Sequence, residues 1–162
     1  MPDVFQNAEA LCPVDGTWLE RLKQAAAGSP RRRARLCLHA GAEDAIQQMV
    51  IAFRRPSYVR PHRHPGKIES LHWIEGSVRV VVFDDAGNAT RELRLGAPGG
   101  GGVVLYRMSA PLWHTVILES ESAVLHEVVS GPFRGGDTEF APWSPQEGDA
   151  PAVAQFLARF GG

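Results

Sequence analysis

Short apolar segments separated by turn residues fill the middle of this chain, and they restrict its fold to one built from β-strands. The segments are rich in Val, Ile, Leu, Phe and Trp, and most are bounded by Gly, Pro, Asp or Asn, as is typical of strands joined by tight turns. So many short strands at close spacing predict an all-β sandwich or barrel. The predicted strands are 36–40, 46–54, 57–63, 68–75, 77–83, 90–95, 102–107, 112–118 and 123–130.

A helix is predicted at each end of this β region. Asp15 is a suitable N-cap for the first helix, and Gly28 and Pro30 end it. Asp149 caps the second helix, and Pro151 suits its first turn. We therefore expect an N-terminal helical extension over 1–30, a barrel over 31–148 whose last loop is pinned by aromatic side chains, and a C-terminal helix over 149–162, all in one structural domain.

The charge balance argues against nucleic-acid and membrane partners. The 162 residues contain 17 Lys and Arg against 18 Asp and Glu, so no broad basic field is expected. No secretory signal is visible, and no apolar stretch approaches the roughly 20 residues that span a bilayer. The two cysteines, Cys12 and Cys37, form no CxxC pair, and we expect a cytoplasmic protein without disulfides.

One dense basic run, Arg31-Arg32-Arg33 with Arg35, interrupts this balance. Such a run is more often a solvated face or a strand edge than a site for polyanions. The solvated reading is favoured here, and anion binding remains the alternative.

The tripeptide His62-Arg63-His64 is the strongest sign of chemistry in the chain. Residues two apart on a strand point to the same side, so both imidazoles face one side of a sheet. Glu69 follows across a short turn, and His114 lies on a distant predicted strand. A lone HxH is often a surface pair and a lone Glu an ordinary exposed charge, but their conjunction within an all-β pattern favours a metal site.

The donor set of His62, His64, Glu69 and His114 suits one divalent transition metal, such as Fe, Ni, Zn or Mn. Ligation requires neutral imidazoles and an ionised glutamate, so metal binding should weaken as the pH falls. Four protein ligands around an octahedral ion leave two positions for a reacting molecule.

Three further residues are candidates for substrate binding: Arg60, Trp73 and Tyr106. Arg60 shares the face of His62 if the strand is regular, where it would attract a carboxylate or phosphate, but Pro61 can bend the strand and an outward Arg60 is equally compatible with the sequence. Counting from Glu69, strand parity places Trp73 inward and His72 outward. His126 and Glu127 are consecutive on the last strand, so only one of them can face the metal.

The pattern His62-x-His64-x4-Glu69-x6-Gly76 resembles the first cupin motif, and His114 stands where the second motif has its single histidine. The chain departs from the motifs at Pro56 and Pro111, where glycine is usual. The resemblance implies an all-β cupin fold, a double-stranded β-helix or jelly-roll barrel, with a metal held by these four residues. Small cupins commonly pair through strands outside the minimal barrel, and the residues before 56 supply such strands, so a homodimer is expected by analogy.

A narrower resemblance, to the WbuC family of cupin-fold metalloproteins, runs from about residue 30 to about residue 147. An Asn common in that family is replaced here by Cys37. Members are often encoded among polysaccharide-assembly genes, which implies sugar chemistry. The segments that carry the resemblance are 33–39, 49–52, 58–65, 83–87, 113–115, 131–133 and 140–145.

Two functions follow as expectations. The first is a metal-dependent enzyme, an isomerase, epimerase or oxygenase, acting on a small polar molecule such as a sugar or sugar-derived acid, with a possible role in polysaccharide biosynthesis. The second is a non-catalytic module that binds or senses a small ligand, or holds a structural metal. An acid or base near the metal would favour the enzyme, whereas a cup filled by Leu71, Trp73 and Leu112 would favour the second reading.

Overall fold

A computed structural model describes residues 2–161 of the chain, and β-strands dominate it. The strands are β1 (Val4–Gln6), β2 (Arg33–Cys37), β3 (Ile46–Arg54), β4 (His62–Arg63), β5 (Glu69–Glu75), β6 (Ser77–Phe83), β7 (Ala89–Gly96), β8 (Leu105–Met108), β9 (Trp113–Leu118), β10 (Ser122–Ser130) and β11 (Glu139–Phe140). The helices are α1 (Gly16–Gly28) and α2 (Ala150–Ala158).

The strands form two sheets, and the predicted jelly-roll cupin fold is confirmed. One sheet has the order β1-β2-β3-β10-β5-β8, and the other has the order β11-β4-β9-β6-β7. The barrel interior is an apolar cluster built from both sheets, in which Trp73, Val78, Val80 and Leu125 are almost completely buried. Alternate residues of each strand supply this interior, as period-two burial requires.

Both predicted helices form with the predicted caps. The Asp15 carboxylate accepts hydrogen bonds from the backbone amides of Thr17 and Trp18, and the Asp149 carboxylate accepts one from Ala152. Helix α1 lays Leu22, Ala25 and Ala26 on the outer face of the first sheet, and α2 lays Phe156 on the outer side of the second. The helices therefore cover the outer faces and leave the interior of the barrel to the strands.

The structure differs from the predicted strands at 36–40, where the strand is Arg33–Cys37, and at 102–107, where it is Leu105–Met108. The largest difference is at 57–63, where only His62 and Arg63 pair as a strand. Pro61 has no N–H and cannot donate to a ladder, which explains the late start. Two short strands, β1 and β11, lie outside the predicted set, and the second of them interrupts the predicted loop at 131–148. In that loop Trp143 packs on Phe83, whereas the Phe140 ring is half exposed.

Among residues 2–161, no helix is long and apolar enough to cross a membrane.

Candidate metal centre

Three histidines converge because their strands are neighbours in one sheet. Strand β4 pairs with β9 so that His62 lies opposite His114, and His64 follows one residue after β4 ends. The ring centroids of His62 and His114 are 4.5 Å apart, and those of His62 and His64 are 4.9 Å apart. The structure thus brings together three of the residues that the sequence singled out.

The hydrogen bonds of the three rings fix which nitrogen faces the centre. Nδ1 of His62 lies 2.8 Å from the carbonyl oxygen of Arg60, and Nδ1 of His114 lies 2.9 Å from that of Leu112. Nδ1 of His64 is 3.2 Å from the carbonyl oxygen of Asp137. A carbonyl oxygen only accepts, so these bonds place hydrogen on Nδ1 and turn each Nε2 toward the centre, where a metal would take its lone pair in place of any proton there.

Glu69 completes the centre from the opposite sheet. Its Oε1 atom is 3.1 Å from Nε2 of His114, and its Oε2 atom is 3.5 Å from Nε2 of His64. The hydroxyl of Tyr106 lies 3.5 Å from Oε1. Glu69 is the first residue of β5 and points inward with Leu71 and Trp73, as the predicted parity requires.

In the metal-free centre, the surroundings favour the state that ligation needs for His62 and Glu69, but favour a proton on His114. Burial, reinforced by the charge of His114, lowers the pKa of His62 to about 3, so this imidazole is neutral. Burial opposes ionisation of Glu69, but its hydrogen bond from His114 and the histidine charges lower its pKa below the usual range. Burial also opposes the charge on His114, yet the hydrogen bond to Glu69 raises the pKa of His114.

These residues fit a divalent metal. One ring nitrogen from each of the three histidines lies within 4.8 Å of the other two. Two imidazole nitrogens on one ion are at most about 4.2 Å apart, so a small closure brings this set to coordination distance. Three Nε2 atoms turned to one centre and an ionised carboxylate are the donors that such an ion requires once it has displaced the proton from Nε2 of His114.

A loop that the sequence did not link to the site holds His64 in place. Lys67, in the turn before Glu69, has its Nζ atom 2.9 Å from Oδ2 of Asp137 and also donates to the carbonyl of Pro132. Asp137 in turn presents its carbonyl oxygen to the His64 ring. The turn between two ligands therefore anchors the segment that orients one of them.

A cavity of about 530 Å³ opens over His62 and His64. A second cavity of about 390 Å³ adjoins it, and the two share Arg35, His64 and Glu127. The walls of the larger cavity are rich in charge: Asp3, Arg31, Arg33, Arg35, Arg60, Glu127 and Glu147.

Glu127 is the residue of the pair on β10 that faces this cavity. It lies between Met49 and Leu71 in the sheet, and burial, followed by the charge of Glu69, raises its pKa to about 7. His126 faces the other side, where its Nε2 is 2.9 Å from Nε2 of the Gln48 side chain. Parity counted from Leu125, an interior residue, could have assigned Glu127 to the cavity from sequence.

The three substrate-binding candidates occupy different places. Arg60 lines the larger cavity, with its guanidinium 4.9 Å from the centroid of the Phe140 ring. Trp73 is fully buried in the barrel core and lines neither cavity, and Tyr106 lies beneath the centre against Glu69. His72 is exposed on the outer face, as predicted.

Solved structures similar to this chain share its fold. A protein from Shewanella oneidensis aligns with a TM-score of 0.57 at 14% identity, covering 77% of this chain and 82% of that one. An oxalate oxidase in complex with glycolate aligns with a TM-score of 0.55 at 16% identity, covering 83% of this chain and 75% of that one. Identities this low establish the fold alone.

The oxalate decarboxylase of Bacillus subtilis, described for its Mn(II) centres, aligns with a TM-score of 0.51 at 17% identity over 67% of this chain. The chain spans only 27% of the length of that enzyme. No curated protein sequence matches the chain.

The two facing sheets and the histidine cluster between them define a protein of the cupin fold with a candidate metal centre. The chain belongs to the family described as a domain of unknown function, DUF6016, whose model matches residues 14–95. That match includes His62, His64 and Glu69 and ends before His114.

Proposed function

We propose that this protein is a metal-dependent cupin enzyme acting on a small polar molecule such as a sugar or a sugar-derived acid. The observation that carries the proposal is the meeting of the oriented Nε2 atoms and Glu69 at the wall of a cavity of about 530 Å³. A cavity of this size suits a small molecule.

His62, His64, Glu69 and His114 would hold one divalent transition metal, of the Fe, Ni, Zn or Mn group. Such an ion polarises a carbonyl or hydroxyl oxygen of the substrate. The Mn(II) centres named for the Bacillus subtilis oxalate decarboxylase support a metal of this group.

Glu127 favours an enzyme over a simple binding module. Its carboxyl group lines the cavity beside His64, and a pKa raised to about 7 suits a group that takes up and returns a proton near neutral pH. Leu71 and Trp73 fill the barrel interior beneath the centre but line neither cavity, and Leu112 is half exposed, so these bulky groups leave the cavity open. Proton transfer by Glu127 is what an isomerase or epimerase needs, and we propose that class.

Two further parts of the proposal rest on analogy. The resemblance to the WbuC family supports a sugar substrate and a role in polysaccharide biosynthesis. The strands β1, β2 and β3 extend one sheet at its edge and support a homodimer. Sedimentation at micromolar concentration tests the dimer, and a monomer mass would contradict it.

Two measurements test the proposed function. Metal analysis of protein purified without chelator should find one transition metal per chain, and less than about a tenth of an equivalent after reconstitution would contradict the metal site. Sugars and sugar acids incubated with the loaded protein in D2O should then exchange a carbon-bound proton, as read by NMR. Exchange should require both Glu127 and His114. Tight ligand binding without exchange or turnover would identify a binding module instead.

A further inference from the structure

Three arginines of the basic run, Arg31, Arg33 and Arg35, line an open cavity, and Arg31 and Arg35 are also exposed to solvent. Ala34 and Leu36 are buried against α1, so Arg33 and Arg35, which alternate with them, point to the opposite side of the sheet. Both line the cavity over the histidines, together with Arg31 and Arg60. The segment is solvated, as the sequence favoured, and it also forms part of the wall of the cavity over the histidines.

Two of these arginines, Arg35 and Arg60, form no direct ion pair among the described residues. Arg33 forms an ion pair with Glu147, and Arg31 lies 3.9 Å from Asp3. In the part of the chain between residues 2 and 161, no carboxylate oxygen lies within ion-pair distance of Arg35 or Arg60. The cavity therefore presents two guanidinium groups without a direct ion-pair partner, and the carboxyl group of Glu127, which interacts with the charge of Arg35, is largely protonated below a pH of about 7.

The side chain of Arg60 is fixed in the cavity wall by two contacts. Its Nε donates to Oγ of Ser144 at 3.0 Å, and its guanidinium stacks over Phe140. Ser144 is itself buried and donates to the carbonyl of Ala141. These contacts fix the plane of the guanidinium and leave its terminal N–H groups for an anion, which reduces the entropy lost on binding.

We propose that Arg35 and Arg60 form an anion-binding subsite that receives a carboxylate or phosphate group of the substrate, while other oxygens of the same molecule face His62 and His64. This inference rests on the proposed function and adds the substrate class, an anionic small molecule. The cavity volume of about 530 Å³ suits a small molecule.

A matched set of sugars tests the subsite. Glucose, glucuronate and glucose 6-phosphate differ in one group, so calorimetric titration of the metal-loaded protein with each isolates the anion and separates carboxylate from phosphate. The wild type should bind at least one anionic sugar about tenfold or more tightly than glucose. Arg35→Gln and Arg60→Gln should each remove most of that preference, and Arg60→Lys, which keeps the charge without the fork, should restore part of it.

Arg91→Gln is the control, because Arg91 is an exposed arginine on β7 at the far edge of the other sheet. It should leave every affinity unchanged. An equal loss in Arg91→Gln and Arg35→Gln would overturn the subsite, since the effect would then be one of overall charge. Equal affinity of the wild type for glucose and both anionic sugars would also overturn the subsite. So would a result in which neither anionic sugar, nor inorganic phosphate at tens of millimolar, binds in a way that depends on Arg35.

A metal-free variant separates this inference from the proposed function. In His114→Ala, inorganic phosphate should still bind in an Arg35-dependent way, as read by phosphorus NMR. If the wild type holds no metal but this binding is present, the subsite stands and the metal-dependent enzyme fails. If the wild type holds metal but the binding of phosphate and of both anionic sugars does not depend on Arg35, the subsite is contradicted and the proposed enzyme is not.

Discussion

Oε1 of Glu69 lies 3.1 Å from Nε2 of His114, and both side chains are almost completely buried. In the metal-free protein this contact is a hydrogen bond that needs a proton on Nε2, the same atom that would donate its lone pair to a metal. Metal and proton therefore compete for one nitrogen, and metal binding should release a proton and weaken as the pH falls.

The first prediction concerns the metal ligands. His62→Ala and His114→Ala should each lose metal and the stabilisation that metal confers, which amounts to about 4 kcal/mol at a thousandfold excess over the dissociation constant. His72→Ala should lose neither, because this residue is exposed on the outer face. Thermal unfolding with and without added metal measures the difference. Metal loss in His72→Ala with retention in His114→Ala would show that the strand faces are assigned wrongly.

The second prediction concerns Glu127 in the metal-free protein. Burial raises its pKa from 4.5 to about 7, so between these pH values the folded chain binds more protons than the unfolded chain. This group therefore contributes a free energy of unfolding that falls as the pH rises through that window. Glu127→Gln should flatten this part of the pH profile in urea unfolding at pH 5 to 8. Glu9→Gln, an exposed change outside the cavity, is the control, and an unchanged slope in Glu127→Gln would contradict the prediction.

The third prediction concerns the loop behind His64. Lys67→Met removes the ion pair with Asp137. The backbone carbonyl of Asp137, which orients the His64 ring, then loses this anchor, so metal affinity should fall by about 10- to 100-fold. Arg134 lies in the same loop as Asp137, and Arg134→Met breaks its exposed ion pair with Glu43. This change should leave metal affinity unchanged. Competition with a chromophoric chelator measures both. Similar losses in the two variants would show that loop order in general, and not the Lys67 contact, sets the affinity.

The sequence predicted the parts of this site that depend on local pattern. Period-two alternation placed His62 and His64 on one face, and parity from Glu69 correctly turned Trp73 inward and His72 outward. The cupin-like spacing added His114, which no local pattern could bring to His62.

Local patterns in the sequence indicate the faces of Arg35 and Glu127, but they do not show that the two residues share one cavity. Whether Arg35 and Glu127 meet in one cavity depends on the register of β2, β3 and β10, and that register is a long-range pairing. The alternation of Arg33 and Arg35 with Ala34 and Leu36 was a local signal for an inward arginine face. A dense basic run is usually solvated, and that expectation outweighed the alternation.

The last prediction concerns the turn glycine that ends the strand of Glu69. Gly76 has a φ of +75°, and a Cβ atom there would lie 2.3 Å from the carbonyl oxygen of Ser122. Gly66, in the turn between His64 and Glu69, has a φ of +72° but nothing within 4 Å of its Cβ position. The two glycines carry similar conformational strain and differ in the space around them.

Gly66→Ala should therefore cost only the strain of a left-handed residue, about 1 kcal/mol. Gly76→Ala should cost about 2 kcal/mol more, because the contact is with backbone of β10 and the strand pair must separate to relieve it. In a domain of this size each kcal/mol shifts the melting temperature by about 2–4 °C, so the variants should melt at least 4 °C apart. Equal melting temperatures would show that β10 yields at no cost, and the close packing of the Glu69 strand against it would then contribute little to holding the metal centre.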